Sequence, residues 1–264
     1  MKVLILTQYF PPETGAPQNR LHSLAGYIAD LGAEVSILTA MPNYPQMEIK
    51  EGYKGKWFKK EADGKLTIYR SWIFVAKGKG VLLRLCNYFS FVFTSLIIGL
   101  IKIKRHDIII CESPPLFLGL SALVLKWIMR SKLVFNVSDL WPESAEKLGI
   151  VTNKALLGVS YKLEEILYKN SSLVSGQTQG IIANIMQRFP GVNTVWLPNG
   201  IDFNQYDVSA NGDTFRTNYG VTAEDFVLMY AGIVGHAQGL DVILEAAEIL
   251  KTNQEIKFFI VGDG

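Results

Sequence analysis

The stretch KVLILTQYFPPETGAPQNRLHSLAGYIADLGAEVSIL, residues 2–38, carries the reading on which the fold turns. A short apolar run at 3–6 leads into a loop rich in proline and glycine. Leu21, Leu24, Ala25, Ile28 and Leu31 then recur at helical spacing, Gly32 supplies a stop, and a second apolar run covers 34–39. Pro17 suits the first helical turn, where a missing N–H costs nothing. Strand, loop, helix and strand in this order predict a βαβ unit. Its strands are continuously apolar rather than alternating, as expected for a parallel sheet covered on both faces. The opening run is too short for a secretion signal and reads as a buried first strand.

The same rhythm continues outward. Further apolar runs at 66–72, 107–111, 132–137, 172–175 and 194–197 alternate with helical segments, which predicts an α/β fold. The pattern loosens through a polar stretch at 211–218 and restarts with a strand at 226–230. A glycine loop at 232–239 follows, then a helix with Leu240, Ile243, Leu244 and Ala247 inward, then a strand at 257–261. Two domains are therefore expected, 1–198 and 199–264. The second is expected to be incomplete, because its length falls short of the ~100–150 residues usual for a domain.

Composition narrows the function. A net charge of +2 over 264 residues speaks against a nucleic-acid binder, which needs a broad basic face. Between Pro42 and His106, however, thirteen Lys and Arg stand against four acidic residues, so one region is strongly basic. Cys86 and Cys111 lie in apolar runs with no CxxC or Cys/His cluster, and read as two buried, reduced thiols.

Two loops carry the chemistry. Thr14-Gly15-Ala16-Pro17 delivers the chain onto a helix N-terminus, whose free amides and dipole suit a diphosphate; a purely structural turn fits these residues as well, and the GxGxxG spacing is absent. The loop from Tyr230 to Leu240, containing Gly232, His236, Gln238 and Gly239, repeats the strand, loop, helix arrangement. Two such loops on facing sheets would hold one nucleotide diphosphate at the carboxyl ends of parallel strands.

These residues resemble the large retaining glycosyltransferase family of GT-B fold known as family 4. The matching features are 6–13 (Leu-Thr-Gln-Tyr-Phe-Pro-Pro-Glu), 197–202 (Leu-Pro-Asn-Gly-Ile-Asp), the loop at 230–240 and the ending at 259–264. Residues 41–45, 52–56 and 139–144 resemble the subgroup that adds N-acetyl-L-fucosamine or related amino sugars in O-antigen and capsule assembly. The resemblance spans the whole chain. It implies two Rossmann-like domains facing across a cleft, a UDP-sugar donor held mainly by the second domain, and an acceptor on the first. It also implies transfer with retention and neither a cofactor nor an obligatory metal. Stabilising the departing phosphate is then the main electrostatic task. Gly15, Asn199, Gly232, His236 and Gln238 are the donor-side candidates.

This chain departs from the family pattern in two places. Gln238 stands where relatives carry a basic residue, and His236, if protonated, would supply part of the missing charge. After the strand at 132–137, Ser138-Asp139 replaces a histidine and aspartate. Asp139 is the catalytic candidate for the sugar-facing wall of the cleft; capping the helix that Pro142 begins is its other reading. Glu143 reads as a first-turn acid. The acidic motif that the family places late in its second domain has no counterpart here, so these residues alone are expected to bind donor poorly and not to turn over.

On the acceptor side stand Arg20, Asn43 and Tyr44. Arg20 suits an acceptor phosphate or an ion pair with Glu13, and Asn43-Tyr44-Pro45 suits the cleft or a simple turn. Lys54, Lys56, Trp57, Lys59 and Lys60 mix cations with aromatics in a way suited to an anionic lipid surface. Residues 85–101 carry no charge and form either a buried crossover helix or one whose outer face dips into lipid. The resemblance implies a polyprenyl-diphosphate-linked sugar acceptor, and hence a cytoplasmic protein peripheral to the inner face of the cytoplasmic membrane. A non-catalytic acceptor- or lipid-binding module and a sugar-nucleotide epimerase of similar fold are the competing readings.

Overall fold

A computed structural model describes residues 1–78, 80–200, 209, 211–235 and 238–262. The chain divides into two compact units, Met1–Ile201 and Asp202–Gly264.

The first unit is built on an eight-stranded sheet in the order β3-β4-β2-β1-β5-β6-β7-β8. Its strands are β1 (Lys2–Leu6), β2 (Glu34–Ala40), β3 (Phe58–Asp63), β4 (Leu66–Ser71), β5 (Ile108–Ser113), β6 (Lys132–Val137), β7 (Leu173–Gly176) and β8 (Thr194–Trp196). All neighbours are parallel except β3 and β4. The helices are α1 (Ala16–Asp30), α2 (Val81–Lys102), α3 (Leu118–Met129), α4 (Glu143–Lys147), α5 (Lys154–Asn170) and α6 (Gln179–Arg188). The mixed α/β architecture expected from the periodicity is the one observed.

Alternation along β1 divides the core. Val3 and Ile5 join Leu21, Ala25 and Ala29 of α1 on one face, while Leu4 and Leu6 join the cluster under α2, α3 and α5 on the other. Leu31, placed inward by its spacing, is instead the exposed residue that ends α1. Two glycines let helices approach closely. A Cβ at Gly99 would lie 2.8 Å from Leu125, and one at Gly119 would collide with Leu167, so α2 packs on α3 and α3 on α5 without a side chain between them.

The polar residues inside α2 have an internal use. Asn87 donates to the Phe74 carbonyl at 2.6 Å, Thr94 to the Trp72 carbonyl at 2.5 Å, and Ser95 lies 3.3 Å from Ser121 of α3. By length and composition Leu82–Lys102 would suffice to cross a membrane. It nevertheless lays Asn87, Phe91, Thr94, Ser95 and Ile98 against the protein. Its other face leaves Leu82, Phe89, Phe93, Leu100 and Ile101 exposed. Both readings of 85–101 therefore touch a real face of this helix. Cys86, expected to be buried, lies on the exposed side, while Cys111 is fully buried.

The second unit holds α7 (Asp213–Tyr219), β9 (Phe226–Ala231), α8 (Asp241–Ile249) and β10 (Ile256–Val261), with β9 and β10 parallel. No described residue of α7 or α8 is buried, and Phe215, Tyr219 and Phe259 form the unit's aromatic cluster.

Candidate functional site

The chain runs outward from β1 through β2 to β4, then crosses back to place β5 on the other side of β1. The reversal between β1 and β5 is a topological switch point, where loops leave in opposite directions and open a crevice at the carboxyl ends of the strands. A connected set of polar side chains lies at that edge.

Glu112, the fifth residue of β5, is its centre. The register sets Glu112 against Asn136 of β6. Asn136 Nδ2 donates to Glu112 Oε2 at 2.8 Å, and Arg20 Nη2 of α1 reaches Glu112 Oε1 at 2.6 Å. The Ser138 hydroxyl donates to the same carboxylate oxygen and lies 3.1 Å from Arg20 Nη2. Ser175 Oγ donates to Asn136 Oδ1 at 2.7 Å, and the Gln177 amide lies 2.6 Å from Ser138 Oγ. Side chains from α1, β5, β6 and β7 are thereby locked together across the switch point. Arg20 pairs with Glu112, not with Glu13 as one reading of the sequence had it. Glu112 itself was missed, because its strand was read as ending at Cys111; the Glu-Ser-Pro-Pro run after an apolar strand was the available signal.

Glu13 has a different task. Its carboxylate accepts the backbone amides of Asn43 at 2.7 Å, Tyr44 at 2.8 Å and Phe10 at 3.3 Å. Burial pushes its pKa up, against the pull of those three amides and of Arg70. The loops after β1 and β2 are thus tied to one buried acid. Asn43 is 1% exposed and spends its side-chain amide on the Met41 carbonyl, which is the turn role of its two readings. Tyr44 stays half-buried, its ring 5.7 Å from that of Tyr9. Burial raises the phenol of Tyr9, as it does that of Tyr88 nearby.

Gly15 sits at the N-cap of α1, with no side-chain cap and no acid in the first turn. The first-turn amides therefore lack an internal side-chain partner and present the positive end of the helix dipole. A Cβ at position 15 would lie 2.5 Å from Gln18 Oε1. That oxygen belongs to a residue only 2% exposed and has no hydrogen-bond partner. A side chain at position 15 would therefore displace the end of the Gln18 side chain.

Asp139 is exposed just beyond the carboxyl end of β6 and accepts from Ser144 Oγ at 2.5 Å. It is bound to the start of α4 through that hydroxyl rather than through a backbone amide of the helix. Glu143 lies in the first turn of α4 and pairs with Lys147. Asn199 is exposed. In the second unit Gly232 and Gln238 are described and exposed, while His236 lies outside the described residues. So do residues 201–202 of the 197–202 motif and the last two of the chain, Asp263 and Gly264. Among the described residues no three His, Cys, Asp or Glu side chains group as a metal site.

The basic region differs from its reading. Phe58, Lys59 and Lys60 open the antiparallel edge strand β3, which the sequence did not reveal. Lys54 pairs with Glu51 at 2.5 Å, Lys59 with Glu61 at 2.6 Å, and Lys56 donates to the Gly52 carbonyl at 2.7 Å. Lys60 lies over the Tyr69 ring, and Trp57 stacks on Trp72 at 5.4 Å.

Comparison with known structures places this arrangement. Sucrose-phosphate synthase from Thermosynechococcus elongatus superposes with a TM-score of 0.69 at 13% identity, covering 99% of this chain and 62% of that one. The fold is that of the GT-B glycosyltransferases. Anabaena Alr3699/HepE, solved with UDP and glucose, gives 0.60 at 18% identity over 100% of this chain and 61% of its own. WaaG, a glycosyltransferase involved in lipopolysaccharide biosynthesis, gives 0.59 at 16% identity over 100% of this chain and 64% of its own. By sequence, the chain is 24% identical over 271 aligned residues to WcaI of Escherichia coli (strain K12), named as a colanic acid biosynthesis glycosyl transferase. The alignment covers 100% of this chain and 66% of WcaI, so the chain spans just under two thirds of that relative. No family model matches the chain.

Proposed function

We propose that these residues belong to a glycosyltransferase that moves an N-acetyl amino sugar, with N-acetyl-L-fucosamine as the leading candidate, from UDP to a lipid-linked sugar in surface polysaccharide synthesis, with retention. The observation that carries this reading is the GT-B switch-point edge, where the uncapped N-terminus of α1 and the Arg20–Glu112 network meet. The end-to-end alignment with WcaI and the UDP-bound HepE structure support it.

In this reading the first-turn amides of α1 beside Gly15 stabilise the charge that gathers on the leaving diphosphate. Asp139, exposed beyond β6, faces the transferred sugar. Glu112 fixes the Arg20 guanidinium, which with Tyr44 borders the acceptor. Asn199, Gly232, His236 and Gln238 serve the donor. The protein works at the inner face of the cytoplasmic membrane, with the exposed stripe of α2 and the lysines at 54–60 on the lipid side.

The test is transfer by the full-length protein from a panel of UDP-N-acetyl sugars to a polyprenyl-diphosphate-linked monosaccharide, with the anomeric outcome read by NMR. Transfer with inverted configuration would refute retention. Failure to bind any UDP-sugar would refute the enzyme reading in favour of a non-catalytic module.

A further inference from the structure

A cavity of about 210 Å³ opens between the start of α2, the turn at 114–117, the loop at 138–142 and α4. Its wall is largely hydrocarbon, with Leu85, Leu116, Phe117, Trp141, Ala145 and Leu148 among the lining residues. Two charged side chains border it, Arg84 and Asp139. Asp139 is engaged by Ser144, whereas Arg84 is exposed and has no carboxylate partner among the described residues.

The wall of the cavity adjoins the outer face of α2. Phe89, 44% exposed, has its ring 4.8 Å from that of Phe117, which is 4% exposed; Phe117 in turn lies 5.4 Å from Trp141. Three rings thus lead from the surface stripe of Leu82, Phe89 and Phe93 into the wall beside Asp139. A nucleobase or sugar would leave most of its polar atoms unpaired against such a wall. A flexible hydrocarbon chain has none to satisfy. An unpaired guanidinium at the mouth suits a phosphate on the end of that chain.

We propose that this cavity seats the phosphate-proximal part of a prenyl chain, which enters along α2 from a lipid surface and places its phosphate at Arg84. The assignment rests on the lipid-linked acceptor reading above and gives that acceptor its hydrocarbon subsite.

Calorimetric titration of the 264-residue chain with farnesyl phosphate, farnesol and inorganic phosphate tests it. Farnesyl phosphate should bind, and inorganic phosphate should neither bind measurably nor displace it. Arg84→Gln should weaken farnesyl phosphate by about tenfold and leave farnesol unchanged, since it removes only a charge-assisted contact. Leu148→Glu, at a wall position already 37% exposed and therefore tolerant of a charge, should weaken both prenyl ligands by about tenfold or more. Unaltered farnesyl phosphate binding in the Leu148 variant, or displacement by inorganic phosphate, would overturn the proposal. A UDP titration of the full-length protein separates the two levels: UDP bound without prenyl phosphate removes only the cavity assignment, and prenyl phosphate bound without UDP removes the transferase reading.

Discussion

Two arginine–glutamate pairs of the first unit bury their carboxylate almost completely, and they differ in what surrounds them. Arg188 at the end of α6 grips Glu164 of α5 with both terminal nitrogens, Nη1 to Oε1 at 3.0 Å and Nη2 to Oε2. Its guanidinium lies 4.9 Å from the Phe189 ring and 5.5 Å from Tyr161. Arg20 touches Glu112 through one nitrogen, and that carboxylate is shared with Ser138 and Asn136. The first pair is flanked by rings and joins two helices. The second belongs to a chain of hydrogen bonds that ends at the crevice edge. A bidentate pair between two helices acts as a clamp, whereas in the proposed function the switch-point network fixes groups for a ligand.

Arg188→Ala should produce the largest loss of stability, about 3–5 kcal/mol, because it strands the fully buried Glu164 carboxylate. Burial already pushes the Glu164 pKa above its ordinary value of 4.5. A carboxyl raised in the folded state favours folding when protonated, so the deficit should shrink as pH falls through that raised value. Denaturant melts of both forms between pH 4 and pH 7 would check this. A deficit that grows on acidification would show that the pair is not a clamp against charge burial.

Glu112→Gln should divide its effect the other way. It keeps the size of the side chain but replaces one acceptor oxygen by a donor, at a cost to stability of about 1–3 kcal/mol. Transfer by the full-length protein should fall by about tenfold or more, through a raised acceptor KM as Arg20 loses its anchor. Asp139→Ala should cost less still in stability, since the residue is exposed, and lower kcat by about tenfold or more with the melting temperature unchanged. Glu112→Gln as destabilising as Arg188→Ala, with transfer intact, would erase the distinction between the two pairs. Unchanged turnover in the Asp139 variant would remove that residue from the mechanism.

The sequence made the sheet and the crevice legible to different degrees. Continuous apolar runs located β1, β2 and β6 within a residue, because strands buried on both faces leave no other signature. The loop at Gly15 was placed at a helix N-terminus for the same local reason, its glycine and proline. The Glu112 network was not legible. Arg20 and Glu112 stand 92 positions apart, and only the parallel register of β5 with β6 sets the acid against Asn136. The edge strand β3 was hidden because Phe-Lys-Lys-Glu-Ala-Asp lacks an alternating apolar face, as an edge that guards against pairing often does. Exposure of Cys86 was hidden because an apolar helix does not declare which side meets the protein.

A third pair lies between these extremes. Arg70, 2% exposed, binds Glu61 of β3 at 2.5 Å and also the Pro11 carbonyl, tying the sheet edge to the loop after β1. Burial alone would raise the Glu61 pKa, yet hydrogen bonds from Arg70 and Lys59 hold it at about 2. A carboxyl depressed in the folded state contributes stability above its ordinary 4.5 and loses it as pH falls towards 2. The partial exposure of Glu61 reduces the expected effect to about 1–2 kcal/mol. Glu61→Gln should flatten the acid limb of the stability profile between pH 4.5 and pH 2, and an unchanged limb would assign it to other carboxyls.

The smallest effect is expected where pairs are exposed. Lys54, half exposed with Glu51 and Glu48 beside it, should contribute little to stability, because water screens exposed pairs. Its field at a membrane is also weakened, because the acids lie within a few ångströms, well inside the ~8 Å screening length at physiological salt. Arg84, Lys104 and Arg105, which flank the exposed stripe of α2, have no carboxylate partners among the described residues. Replacing Lys54, Lys56, Lys59 and Lys60 by Gln should therefore weaken co-sedimentation with anionic vesicles by only about twofold. Phe89→Asp with Phe93→Asp should weaken it by about tenfold or more, because both rings are exposed on the stripe and their burial in lipid is lost. The reverse order of effects would return the lipid-facing role to the lysines and leave α2 as an ordinary crossover helix.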